Sequence, residues 1–317
     1  MRLCRFTDGH ETRSAFFFDT TIVPLEAAAR GHRQQTQRDL ALPYSEDLLP
    51  LLPGGTHYLQ VRELGDWLAA NRSVTHSLAT AVDKVQLLTP IARPSKIILL
   101  AGNYNEHIKE GGGQATERAK TFPYLFQKPP TTTLNHPGAP IVIPKVSPNH
   151  VDWECELGVV MAKRCKAVKE ADALGYVAGY TVVNDISDRK FRPNPGREKR
   201  EKDTFFDWQH GKWHDTFCPI GPCVTSAHAL PDPQKLSLSL KVNGRTHQNA
   251  STAQMIFPVA AIIEFVSAIV TLEPGDIIST GTPSGVGNTT HTYLKPGDQM
   301  EATIEGIGVL RNHMVPE

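Results

Sequence analysis

The chain has 317 residues, enough to bury a full core in one large domain or in a domain with a small appendage. Its composition is 40% hydrophobic and 21% charged, and 33 basic residues balance 33 acidic ones. That neutrality, without a basic stripe, argues against nucleic-acid binding through phosphate neutralisation. No apolar run approaches the roughly 20 residues of a membrane helix, and the first residues, MRLCRFTDGHETRS, lack the apolar core of a signal peptide. Five cysteines with no C-x-x-C spacing indicate neither a disulfide framework nor a cysteine zinc site, so a reducing cytoplasm is the expected home.

Residues 1 to about 90 read as a small N-terminal α+β unit. Ala15–Phe18 and Thr21–Val23 are strand-like, and amphipathic helical patterns cover Ser45–Leu52 and Tyr58–Ala70. Residues 85–94 read as a connection. Lys96–Leu100 then begins a second region, 91–317, with a short apolar run that suits a buried strand. β-prone runs follow at Gly158–Met161 and Gly179–Val183, separated by a helical pattern over Lys169–Leu174. Leu236–Leu240 alternates strictly, and Asn243-Gly244 behind it predicts a hairpin turn. Phe257-Pro258 opens a helix to about Val270, with Ile262, Phe265, Val266 and Ile269 at helical spacing. Glu273-Pro-Gly-Asp276 and Lys295-Pro-Gly-Asp298 are turns, each followed by an extended run. The fold class is therefore α+β and β-rich.

Glu154 and Glu156 stand at i and i+2 of a predicted strand and so share a face. Two adjacent carboxylates repel, and a hard divalent cation is a common way of keeping both ionised. Asp185 ends the next predicted strand, where it can reach the same spot. Oxygen-only ligation favours Mg²⁺, Mn²⁺ or Ca²⁺ over Zn²⁺. An isolated E-x-E is more often the solvated face of an edge strand; the nearby aspartate and the apolar run after Glu156 favour a central one. In Gly102-Asn103-Tyr104-Asn105-Glu106-His107-Ile108-Lys109-Glu110, His107 and Glu110 fall on one helical face, so the carboxylate can orient the imidazole toward a water. A mixed-charge surface helix gives the same pattern. Gly111-Gly112-Gly113 suits a hinge or an ordinary loop.

Six segments in order resemble the fumarylacetoacetate hydrolase (FAH) family. They are G-N-Y-x-x-H-x-x-E from Gly102, Phe126-Gln-Lys128-Pro129, Trp153 to Val160, Gly179 to Arg189, Gly211-Lys212 to Phe217, and Ser279 to Gly287. Residues 1–90 show no such signature. The resemblance implies a mixed β-roll for 91–317, an FAH-like catalytic domain, usually in a homodimer. It implies Glu154, Glu156 and Asp185 as metal ligands, with Mg²⁺ or Mn²⁺ as cofactor and Ca²⁺ as an in vitro substitute. His107 with Glu110 becomes a water-activating dyad on a closing lid, and Lys212 the active-site lysine. Arg189, Thr282 and Lys128 become residues of the substrate pocket. His210 and His214, beside Lys212, read as supporting or exposed.

One stretch departs from the family. Many members read S-A-R-D-x-Q where this chain has Ser187-Asp188-Arg189-Lys190-Phe191-Arg192, and a cation at Arg192 suits an anionic or polyhydroxylated substrate tail. The reaction implied is metal-dependent hydrolysis of a C–C bond in a 2,4-dioxo acid, of acylpyruvate or 2,4-diketo-3-deoxy sugar-acid type, to pyruvate and a short acid. Its rivals are isomerisation of a hydroxymuconate-type or heptadienedioate-type diacid, oxo-acid decarboxylation, and ureidoglycolate lyase chemistry. A non-catalytic sugar-acid binder has no use for a water-activating base.

Overall fold

A computed structural model describes residues 1–42 and 46–317. Among these residues the strands form a 12-stranded sheet, a five-stranded sheet and one two-stranded pair. The large sheet runs, by neighbours, through Thr80–Ala81, Thr21–Pro24, Thr12–Phe18, Arg2–Thr7, Cys218–Ser226, Val177–Asn184, Cys155–Met161, Ile277–Ser279, Ile97–Ala101 and Tyr124–Gln127. The smaller sheet contains the Asn243-Gly244 hairpin, Ser237–Val242 with Arg245–Ser251, as its alternation predicts. Most pairs are antiparallel, but Ile277–Ser279 runs parallel to Ile97–Ala101 and Gly308–Pro316 to Pro140–Ile143, so both sheets are mixed.

Cys155–Met161 and Val177–Asn184 are buried along their whole length, which explains why their sequences are continuous apolar runs rather than alternating ones. Side-chain parity divides them between two cores. Leu157, Val159 and Met161 join one hydrophobic cluster, while Val160 and Val183 join the other. Glu154 and Glu156 share the parity of Val160, and Asp185 that of Val183. The pairing places Glu156 opposite Val183 and Cys155 opposite Asn184, and the Asp185 amide donates to Glu154 O at 2.8 Å. The register alone thus brings all three carboxylates to one face at one end of two central strands.

The helices Tyr58–Ala70 and Val259–Ile269 occur where the periodicity predicts them, Pro258 standing just before the second as its N-cap. Two expectations need correction. The predicted helix over Ser45–Leu52 is a single 3-10 turn, Leu49–Leu51, which Pro50 and the buried Leu51 stabilise; Ser45 itself lies outside the described residues. Residues 85–94 are not merely a connection, because Gln86–Leu88 pairs with Arg2–Thr7. Arg2–Thr7 also pairs with Cys218–Ser226, so hydrogen bonding across the sheet is continuous between the first 90 residues and the strands of the carboxylate site. Among the described residues no helix is long and apolar enough to cross a membrane.

Candidate active site and metal centre

Glu154, Glu156 and Asp185 are buried, and one ligand oxygen from each lies within 4.8 Å of the others. Glu156 Oε2 accepts from Ser279 Oγ at 2.6 Å and from the Gly281 amide at 2.9 Å, which leaves Oε1 buried without a hydrogen-bond partner. Burial first, then the charges of Asp185 and Glu154, pushes the Glu156 carboxyl well above the usual range. Glu154 goes the other way: burial opposes its ionisation, but Lys212, Arg189 and His107 outweigh burial and hold it low. A crowded all-oxygen donor set with one orphaned buried oxygen fits a hard divalent cation, whose charge would let all three ionise together.

Three cations surround the set. Lys212 Nζ donates to Glu154 Oε2 at 2.9 Å and Asp185 Oδ2 at 2.6 Å; burial lowers this amine's pKa, but the two carboxylates overcome that and raise it. Lys212 is delivered by the turn that ends the helix Asp203–His210, where Gly211 packs so closely on Asp188 O that a Cβ would not fit. Arg189 Nε donates to Asp152 Oδ2 at 2.8 Å, and its Nη2 lies 2.6 Å from Glu154 Oε1. Lys128 Nζ is fully buried, donating to Ile186 O at 2.8 Å and Phe217 O at 2.6 Å, and sits 2.7 Å from Asp185 Oδ1.

The short helix Asn105–Glu110 carries His107, whose Nδ1 lies 2.8 Å from Glu110 Oε1, while Glu106 turns away to Lys109. Glu110 Oε2 accepts from the Gly285 amide at 2.9 Å, which docks the helix on the 284–288 loop. Burial works against ionisation of Glu110, but the hydrogen bonds from His107 and the Gly285 and Val286 amides prevail and keep it below the ordinary carboxylate value. Glu110 therefore stays anionic and orients the imidazole through Nδ1. Gly285 adopts φ +100°, and a Cβ there would press into His247 O. Gly285→Ala should therefore shift the loop and undock Glu110, lowering kcat about 10²-fold at saturating Mn²⁺ in a steady-state assay.

Of the other expected pocket residues, Lys128 and Thr282 are buried and Arg192 is exposed. Lys128 has all its donors committed to protein oxygens, among them the carboxylate of Asp185. The Thr282 hydroxyl donates to Cys155 O at 3.1 Å and accepts from Gln248 Nε2 at 2.8 Å. Arg192 is exposed, apart from the buried charges that Arg189 joins. His214 is not among the carboxylates either; its Nε2 faces Asp188 Oδ2 at 3.4 Å. Sequence reasoning missed Asp152, which accepts from the Trp153, Gly287 and Asn288 amides and from Arg189. Its signal was available, because Asp152, Glu154 and Glu156 alternate in sequence as D-x-E-x-E across the break between the strands Val151–Asp152 and Cys155–Met161.

The sequence pattern described as "Fumarylacetoacetate (FAA) hydrolase C-terminal" matches residues 96–315. The chain belongs to the fumarylacetoacetate hydrolase family. Among its relatives in this family is the 2,4-didehydro-3-deoxy-L-rhamnonate hydrolase of Sphingomonas sp. (strain SKA58), 41% identical over 228 residues that cover 71% of this chain and 75% of that one. The mitochondrial oxaloacetate tautomerase Fahd2a of Rattus norvegicus is 38% identical over 234 residues, covering 73% and 70%. The crystal structure of maleylpyruvate hydrolase from Sphingobium sp. SYK-6 with manganese(II) and pyruvate superposes with a TM-score of 0.70 at 29% identity, covering 100% of this chain and 99% of that one. The FAH family thus includes both hydrolases and tautomerases, and the acidic cluster together with a manganese-bound neighbour supports divalent-metal binding.

Proposed function

We propose that this FAH-family enzyme is a divalent-metal-dependent hydrolase that cleaves a C–C bond in a 2,4-dioxo acid, releasing pyruvate and a short acid. The observation that carries this reading is the His107–Glu110 pair docked beside the three carboxylates. Mg²⁺ or Mn²⁺ held by Glu154, Glu156 and Asp185 would supply Lewis-acid stabilisation of an enolate of pyruvate type.

The chain's own groups do the rest. His107 Nε2 takes a proton from water, and the hydroxide oxygen bonds to the distal carbonyl carbon. When the C–C bond breaks, its electron pair passes to the pyruvate side as an enolate. The imidazolium proton then passes to C3 of that enolate, giving pyruvate. The Lys212 ammonium sits where negative charge grows, and Glu110 keeps the imidazole aligned through the cycle. Arg192, exposed three residues beyond Arg189, is the cation offered to an anionic or polyhydroxylated tail, such as that of a 2,4-diketo-3-deoxy sugar acid. Within this reading the enzyme works in the cytoplasm as a homodimer.

The tautomerase relative, at nearly the same identity as the hydrolase one, supports a second reading in which the same base moves a proton between C3 and solvent without adding water. A panel of acylpyruvates and oxaloacetate separates the two. Pyruvate release that stops on chelation and returns with Mn²⁺ or Mg²⁺ is expected. His107→Ala should cut kcat by about 10²–10⁴ while Mn²⁺ still binds. Fast keto–enol interconversion without C–C cleavage would favour the tautomerase, and activity indifferent to chelation would refute both.

A further inference from the structure

The short strand Val151–Asp152, which precedes the carboxylates, is tied to the loop that receives the dyad. Asp152 is fully buried, and both its oxygens are saturated: Oδ1 accepts from the Trp153 amide at 2.8 Å and the Gly287 amide at 2.7 Å, Oδ2 from the Asn288 amide at 2.9 Å and Arg189 Nε at 2.8 Å. Arg189 continues to Glu154, with Nη2 2.6 Å from Oε1. On the other side, the 285–288 segment held by Asp152 presents the Gly285 amide to Glu110 Oε2 at 2.9 Å, and Trp153 Nε1 donates to Gly285 O at 3.1 Å. An unbroken run of polar contacts therefore joins Glu154, Arg189, Asp152, the 285–288 segment, Glu110 and His107.

We propose that Asp152 is a positioning residue that sets the Glu154 carboxylate and the docking point of the His107–Glu110 helix in one geometry, so that the two parts of the site assemble as a unit. The physical reason is the division of one guanidinium between two carboxylates. With Asp152 holding Nε, Arg189 reaches Glu154 through one nitrogen and leaves that carboxylate another oxygen to share. Without the Asp152 charge, Arg189 is free to turn its whole fork onto Glu154, which competes with a cation for the same oxygens. The Gly287 and Asn288 amides then lose their acceptor, the 285–288 segment loosens, and Glu110 loses its anchor. The proposal rests on the reading of Glu154 as a metal ligand and of His107–Glu110 as the base, but its test is legible without turnover.

The test compares the full chain with Asp152→Asn, whose amide nitrogen faces donors where the wild type has an acceptor. Two readouts are taken: Mn²⁺ affinity by titration calorimetry, and amide hydrogen exchange over residues 105–113. Expected are a Mn²⁺ affinity 10–100-fold weaker and exchange at 105–113 about tenfold faster, in a protein that still melts cooperatively. If only one readout moves, or neither, the proposal is overturned. A double-mutant cycle with Glu110→Gln adds a kinetic arm: the two losses in kcat should be markedly less than additive, and additive losses overturn the coupling. Should Asp152→Asn not fold, the unmodified chain decides. There the Gly285, Gly287 and Asn288 amides should exchange with one common protection that rises together on adding Mn²⁺, and unequal responses overturn the proposal. Were the hydrolase reading to fail, turnover would be absent while the exchange and affinity results stood.

Discussion

Glu156→Gln should raise the thermal midpoint of the metal-free protein while reducing turnover to background. The two effects have one cause. Burial and the neighbouring Asp185 and Glu154 push the Glu156 carboxyl well above its unfolded value, so the folded chain binds a proton that the unfolded chain releases. From the ordinary glutamate pKa up to that raised value, unfolding releases a proton, and stability must fall as pH rises, by up to about 1.4 kcal/mol per pH unit. Glutamine removes this dependence. Its carbonyl can still accept from Ser279 and Gly281, and its amide fills the position of the orphaned Oε1 facing carboxylates. The difference in midpoint between wild type and variant should therefore widen from pH 5 to pH 8 without metal. Adding Mn²⁺ at about 100 times its Kd should stabilise the wild type by about 2.7 kcal/mol, roughly 5–10 °C in a chain of this size, and leave the variant unmoved. Parallel melts with and without Mn²⁺ measure both; an equal metal response would remove Glu156 from the ligand set.

Lys128→Met should be the most destabilising single change at the site. The ammonium has no exposed surface and satisfies Ile186 O, Phe217 O and Asp185 together, so methionine strands a buried carboxylate and two carbonyls. Breaking a buried pair in this way costs about 3–5 kcal/mol, a fall in midpoint of about 6–20 °C. A lysine that met substrate instead would raise KM with little effect on the melt. Measuring KM and midpoint on the same preparation distinguishes the two.

The difference between Glu156 and Lys128 shows what the sequence could carry. The carboxylates were legible because strand parity and antiparallel pairing are arithmetic: residues at i and i+2 share a face, and the end of one strand meets the start of the next. Tyr58–Ala70 and the Asn243-Gly244 hairpin were legible for the same reason, through local period and turn chemistry. The contacts of Lys128 and Thr282 were not, since which oxygen a long or rotatable side chain reaches depends on the tertiary packing of Ile186, Phe217 and Gln248, none of them near in sequence. Arg2–Thr7 was missed because its alternation is broken by burial on both faces, a pattern that belongs to a central strand. The helix Leu25–Thr36 was missed because its buried stripe is only Leu25, Ala28 and His32, too thin and too polar to mark a period.

That first strand has a consequence for the chain as a folding object. By lying along Cys218–Ser226 it occupies backbone donors and acceptors that would otherwise form a bare margin two strands away from the carboxylates. Bare margins of β-sheets recruit whatever extended chain they meet. The opening residues thus act as a selvedge: they cover a margin at which the strands next to the site could otherwise pair with the wrong partner.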